Sequence, residues 1–125
     1  MKHSKALRKP SKKGLKRKAD QVFSAWIRSR NVCQWCGAVN ETLQAAHVFS
    51  RKYLVTRWTE NNCFCLCVSC HFKAHAQPIE FAEFVKMRLG TRKYNDLRLK
   101  ARTSVEKVDL ESVIAKYQGL LDTKV

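Results

Sequence analysis

The chain has 125 residues, with 25 Lys and Arg against 10 Asp and Glu, and so a net charge of +15. That length suits one domain, and the longest uninterrupted apolar run, Cys63 to Val68, falls far short of the ~20 residues that span a bilayer, which excludes a membrane-spanning protein. The basic N-terminus is not followed by the apolar segment of ~7–15 residues that a secretory signal requires, so the expected location is the cytoplasm. In that reducing compartment six Cys between positions 33 and 70 read better as metal ligands or buried side chains than as a disulfide framework.

The charge is unevenly spread. Residues 1–18 hold nine Lys and Arg and no acid, with Leu7 and Leu15 as the only large apolar side chains after Met1, and are expected to form a disordered basic arm. Val22, Phe23, Trp26 and Ile27 then recur at helical spacing, predicting a helix from about Ala19 to Arg30. Two short strands are expected at Thr42–Phe49 and Asn62–Leu66. A helix should follow from Cys67 to about Ala76, ended by Gln77-Pro78. Phe81, Phe84, Val85 and Leu89, with Gly90 beyond them, predict a helix over Glu80–Leu89. Tyr94, Leu97 and Ala101 mark another over Arg92–Ala101. The last, Asp109–Asp122, has Asp109 as N-cap and a stripe of Leu110, Val113, Ile114, Tyr117 and Leu121, which either packs on the domain's own core or forms a homodimer interface.

The strongest motif is Cys33-x2-Cys36 followed, after 30 residues, by Cys67-x2-Cys70. Each pair can set two thiolates on one side of a tight turn, and two pairs complete a tetrahedral Zn²⁺ site. Gly37 suits the first turn. The gap exceeds the usual ~15–20 residues between knuckles, so a substantial element is inserted. A closed four-Cys site leaves no open coordination position, which makes this zinc structural and places any chemistry in the insertion. Cys63 and Cys65 could be spare ligands or redox thiols, but read more simply as small buried hydrophobes.

Within and just past the insertion stand His47, Asn62, His71 and His75. His71 and His75, at i and i+4 on a helix, present both imidazoles to one side and could share a metal. Arg51 and Arg57 flank the expected hairpin; they could grip phosphates bidentately or be ordinary solvated surface. Trp58 reads as hairpin packing. Nine cations in the arm could displace counterions from DNA, giving sequence-independent, salt-dependent binding.

The string Ala45-Ala46-His47-x3-Arg51, Thr56-Arg57-Trp58 and Asn62-x4-Cys67-x2-Cys70-His71-x3-His75 resembles the HNH, or ββα-metal, nuclease motif. The resemblance covers residues 33–75. It implies that His47 is the general base, that Asn62 braces the hairpin carrying it, and that His71 binds a catalytic divalent metal; the spacing to His75 is similar to that of the nuclease colicins, where both helix histidines are ligands. The residue before the base is usually Asp or His and also binds the metal. Here it is Ala46, so water, Gln44 or a substrate phosphate would complete the sphere. A weaker likeness, in the Pro78-x-Glu80-Phe81 turn, the Leu89-Gly90 helix end and the Tyr117 helix, links the chain to NinG-type phage recombination nucleases.

The expectation is therefore an α+β protein: a basic arm (1–18), a zinc-clamped HNH core (19–78) and a helical extension (79–125). The resemblance implies hydrolysis of DNA phosphodiester bonds with Mg²⁺, Mn²⁺ or another divalent transition metal, leaving 5′-phosphate and 3′-hydroxyl ends, in a bacterial host cell. Branched or distorted DNA is the expected substrate, since no base-reading helix is evident. The rival is a non-catalytic zinc-ribbon protein that uses the same charge merely to bind nucleic acid.

Overall fold

A computed structural model describes residues 11–124 of the chain. It combines six helices with a two-stranded sheet, an α+β arrangement built around one short hairpin. Among the described residues no helix is long and apolar enough to cross a membrane.

Helix α1 spans Lys12–Arg28, beginning seven residues before the expected Ala19. Charge density argued for disorder, but Lys and Arg are good helix formers, and the Ser11 hydroxyl accepts from Gly14 N at 3.0 Å to cap the first turn. Leu15 and Ala19 extend the apolar face of Val22, Phe23 and Ile27 toward that end. Residues 1–10 of the expected arm lie outside the described residues. The helix stops at Arg28, and Asn31 then takes a positive φ of 62°.

Strands β1 (Leu43–His47) and β2 (Cys63–Cys67) pair antiparallel, with Leu43 opposite Cys67 and His47 opposite Cys63. Every residue of β2 is buried, because both faces of the hairpin are covered. Cys63 and Cys65 turn toward α1, where they join Phe23, Ile27 and Tyr117. Phe64 and Leu66 turn the other way, with Ala46, toward Phe81, Phe84 and Val85. Fully burying one such large side chain contributes about 1.5–3 kcal/mol, so the hairpin depends on the helices packed on both sides of it.

The first Cys knuckle protects the free edge of β2. Gln34 N donates to Cys65 O at 2.8 Å while Cys65 N donates to Gln34 Oε1 at 2.8 Å, and Arg30 Nη1 donates to Cys63 O at 3.1 Å. A bare edge strand would invite pairing with another chain; these contacts close it.

The loop between the strands holds two elements that periodicity did not predict: α2 (Leu54–Arg57) and a 3₁₀ turn (Glu60–Asn62). After β2 come α3 (Val68–Ala76), α4 (Pro78–Leu89), α5 (Thr91–Thr103) and α6 (Leu110–Thr123). Pro78 occupies the first turn of α4, where its missing N–H costs nothing. Gly90, at φ 88°, makes the sharp break between α4 and α5 in a backbone region that other residues avoid. Asp109 caps α6 through Ser112 N, as expected.

Helix α6 packs along α1. Tyr117 is 1% exposed, stacks edge-on to Phe23 with ring centroids 4.9 Å apart, and donates its hydroxyl proton to Trp58 O at 2.6 Å. The α6 stripe thus packs on the protein's own core, with Val113, Ile114 and Leu121 partly buried beside Leu110 and Tyr117.

Candidate functional site

Two groups of ligating side chains flank the hairpin. The sulfurs of Cys33, Cys36, Cys67 and Cys70 all lie within 4.8 Å of one another, with Cys36 Sγ and Cys67 Sγ 3.8 Å apart. A tetrahedral zinc with Zn–S bonds of about 2.3 Å sets its sulfurs about 3.8 Å apart, so the cluster can hold a structural ion such as zinc. Gly37, at φ 79°, closes the first turn as its N–H reaches back to Cys33 O at 2.8 Å. The second pair sits where β2 becomes α3: Cys67 is the N-cap of α3, and its sulfur accepts from Cys70 N.

Burial works against the Cys33 thiolate, but backbone N–H groups of Cys36, Cys67 and Trp35 hold its pKa down to about 6. Burial, together with hydrogen bonds among the neighbouring thiols, pushes Cys70 strongly up. Four crowded thiols cannot ionise together unaided; a bound cation deprotonates them outright. Cys63 and Cys65 are not part of this group. They pack in the core under α1, and burial pushes the Cys63 thiol up to about 12, which makes it an inert core side chain.

On the outer side of α3, the Nε2 atoms of His71 and His75 are 3.3 Å apart. A tetrahedral ion with metal–nitrogen bonds of about 2.0–2.1 Å sets its ligand nitrogens about 3.3–3.4 Å apart. His71 Nδ1 lies 2.7 Å from Gln44 Oε1, an acceptor, so Nδ1 carries the proton and Nε2 keeps its lone pair. Gln44, one of three expected ways to complete a metal sphere alongside water and a substrate phosphate, instead orients the His71 ring from behind. Without an ion the same pair is a hydrogen bond from His75 Nε2 to His71 Nε2. Ala46 is buried beside them and offers no donor, and among the described residues no third His, Cys, Asp or Glu joins the pair.

The histidine pair lines a groove of about 660 Å³ together with His47, Arg51, Phe81 and Tyr94. His47 ends β1 on the face opposite Gln44 and Ala46, with its ring 5.9 Å from that of Phe23. Its Nε2 lies 2.9 Å from Arg57 O. A carbonyl can only accept, so Nε2 bears the proton and Nδ1 is the basic nitrogen. Burial lowers the His47 pKa below its ordinary value, only partly opposed by this hydrogen bond, so the neutral base is favoured.

Asn62 does not face the groove. It is fully buried; its Oδ1 accepts from Phe49 N at 2.8 Å, and its Nδ2 donates to Thr56 O at 2.9 Å and Phe49 O at 3.2 Å. Its role is to brace the loop. Asn62→Ala should lower stability by roughly 2–4 kcal/mol, because it strands buried backbone groups; a melting temperature equal to wild type would remove that role.

The two candidate phosphate-gripping arginines part company. Arg57 is committed: its Nη2 and Nε bind Asp20 at 2.6 and 3.1 Å, and its side chain is only 15% exposed. Arg51 makes one contact to Asp20 at 2.7 Å, is 57% exposed and lines the groove. Asp20 itself carried no sequence signal, because its partners lie 31 to 38 residues away in the chain. Gln44, by contrast, shares a strand face with Ala46, and that alternation is the one local sign that it turns toward α3.

No protein-family model matches this chain, and neither does any curated protein or solved structure.

Proposed function

We propose that the protein is a metal-dependent endonuclease of the HNH type that hydrolyses DNA phosphodiester bonds, with the Cys cluster holding zinc as a structural clamp. The observation that carries this reading is the 3.3 Å convergence of His71 and His75 Nε2 in a groove that His47 and Arg51 also line. A divalent cation on that pair would act as a Lewis acid for the charge that develops on the phosphate, and two imidazoles suit a transition metal such as Ni²⁺ or Zn²⁺ better than Mg²⁺ or Mn²⁺. His47 Nδ1 takes the proton of the attacking water. Arg51 binds a phosphate oxygen, the water oxygen bonds to phosphorus as the P–O3′ bond breaks, and the departing 3′-oxygen takes a proton from solvent water, giving 5′-phosphate and 3′-hydroxyl ends.

The charge distribution supports DNA as the partner. Lys12, Lys13, Lys16, Arg17 and Lys18 crowd the start of α1, where the helix dipole disfavours cations; a polyanion relieves that cost and releases its counterions. Phe72, beside His71 on α3, is 73% exposed, a stacking platform for an unpaired base. That favours distorted or branched DNA over regular duplex, in keeping with the likeness to phage recombination nucleases acting in a bacterial cytoplasm.

Ala46 favours a second reading, a zinc-stabilised protein that binds nucleic acid without cutting it. Incubation with supercoiled, linear and four-way-junction DNA, with and without Ni²⁺, Zn²⁺, Mn²⁺ or Mg²⁺, separates the two. Metal-dependent cleavage, lost in His71→Ala, is expected. Binding without cleavage under every metal condition would leave the second reading standing.

A further inference from the structure

We propose that Asp20 is the positioning residue for His47: its carboxylate fixes the peptide unit whose carbonyl holds the His47 imidazole in one tautomer. The geometry stands alone, while the consequence for cleavage rests on the nuclease reading.

Asp20 is the one acid in α1, and both of its oxygens are fully used. Oδ1 accepts from Arg57 Nε at 3.1 Å and Trp58 Nε1 at 2.9 Å; Oδ2 accepts from Arg57 Nη2 at 2.6 Å and Arg51 Nη2 at 2.7 Å. Partial burial works against the charge, but the hydrogen bonds and charge of Arg57, with those of Trp58 and Arg51, more than offset it and hold the carboxyl below its usual range. A solvated surface ion pair needs no indole donor and contributes little. This one gathers the side chains of two consecutive residues onto one carboxylate.

Those two residues flank a single peptide bond, the one whose carbonyl oxygen accepts from His47 Nε2. The side chains of Arg57 and Trp58 thus tether that bond to α1 from both sides. The neighbouring carbonyls are pinned as well, Thr56 O by Asn62 Nδ2 and Trp58 O by the Tyr117 hydroxyl. With its acceptor immobilised, the imidazole keeps Nε2 protonated and Nδ1 free, the form a base requires. The groups facing His47 are Phe23 and Asp20 from α1, Arg51 and Arg57 from the loop, and Cys63 across the strand. Within that set only Asp20 can hold both halves of the peptide at once.

The test is Asp20→Asn, read first by nitrogen NMR of the His47 ring in the zinc-loaded protein. Wild type should show Nε2–H as the dominant tautomer, and the variant a mixture of the two. If cleavage is measured, Asp20→Asn should slow the rate at saturating DNA by roughly ten- to a hundredfold, the range seen when a group orienting a site ligand is lost. The substitution adds one unit of positive charge, so DNA binding should be as tight as wild type or tighter. A purely electrostatic role would tighten binding and leave the rate alone. Should Asp20→Asn fail to fold, Arg57→Lys and Trp58→Phe each remove half of the tether and take the same readout. A folded variant with wild-type tautomer and rate would overturn the proposal. If wild type cuts no DNA, the nuclease reading fails while the tautomer measurement still decides the role of Asp20.

Discussion

Cys67→Ser should abolish metal binding at the Cys cluster and unfold the hairpin together with the α3 junction. Structural zinc contributes about 10–16 kcal/mol of apparent binding free energy in small zinc domains, against a total folding stability of roughly 5–15 kcal/mol for a typical protein. Cys67 holds three positions at once. It belongs to the four-Cys cluster that can hold the ion, it pairs with Leu43 at the end of the sheet, and its sulfur caps α3. Losing it frees the Cys33–Cys36 knuckle, and with it Gln34, which closes the open edge of β2. By comparison, Cys65→Ala, also in β2 but in the opposite core, removes only a small buried side chain and should cost roughly 1–2 kcal/mol. Elemental analysis should find one zinc per wild-type chain, and melting curves with and without a strong chelator should differ by tens of degrees. A well-folded, metal-free preparation would end the clamp model.

What could be read from the sequence divides along a physical line. The zinc knuckles were legible because ligand identity and spacing are local, and α4 and α6 were legible because an apolar stripe of helical period must be buried against something. The start of α1 was misread because charge outweighed propensity: Lys12 to Lys18 look solvated, yet the Ser11 cap and the Leu15 and Ala19 contacts are enough to fold them. The loop from Val48 to Asn62 was illegible for the opposite reason. Its path is fixed by Asn62, Asp20 and Tyr117, all of which act through contacts remote in sequence, and no local propensity encodes them. The same holds for the site. His71 and His75 could be singled out from their spacing and His47 from the resemblance to the HNH motif, but the tautomers of His47 and His71 are set by partners that only the fold supplies: Arg57 O and Gln44. Arg57 shows the cost of reading charge without partners, since its guanidinium is already taken by an acid 37 residues away that no local signal placed beside it.

His47→Ala should reduce cleavage by roughly 10²- to 10⁴-fold, the contribution of a positioned general base, while zinc content and DNA binding stay near wild type. The ring ligates nothing in the Cys cluster and is not one of the two imidazoles that converge on α3, so metal retention should be unaffected. Truncation leaves Arg57 O without its donor and a gap beside Phe23; His47→Gln, which restores a donor but no base of useful strength, controls for that loss. The wild-type pH profile adds an independent check. An ordinary histidine titrates near ~6.5, and a rise in rate from about pH 5.5 to 7.5 would follow from such a value. Burial places the His47 pKa lower, so the rise should be centred below pH ~6.5 and the rate should be level at neutral pH. The same shift acts on stability: below pH ~6.5 the unfolded chain takes up a proton at this residue before the folded one does, so stability falls as pH drops toward the folded pKa. His47→Gln should remove both effects together. A cleavage rate that kept its acidic limb in His47→Gln would assign the base to another group, and one that matched wild type throughout would show that His47 takes no part in the chemistry.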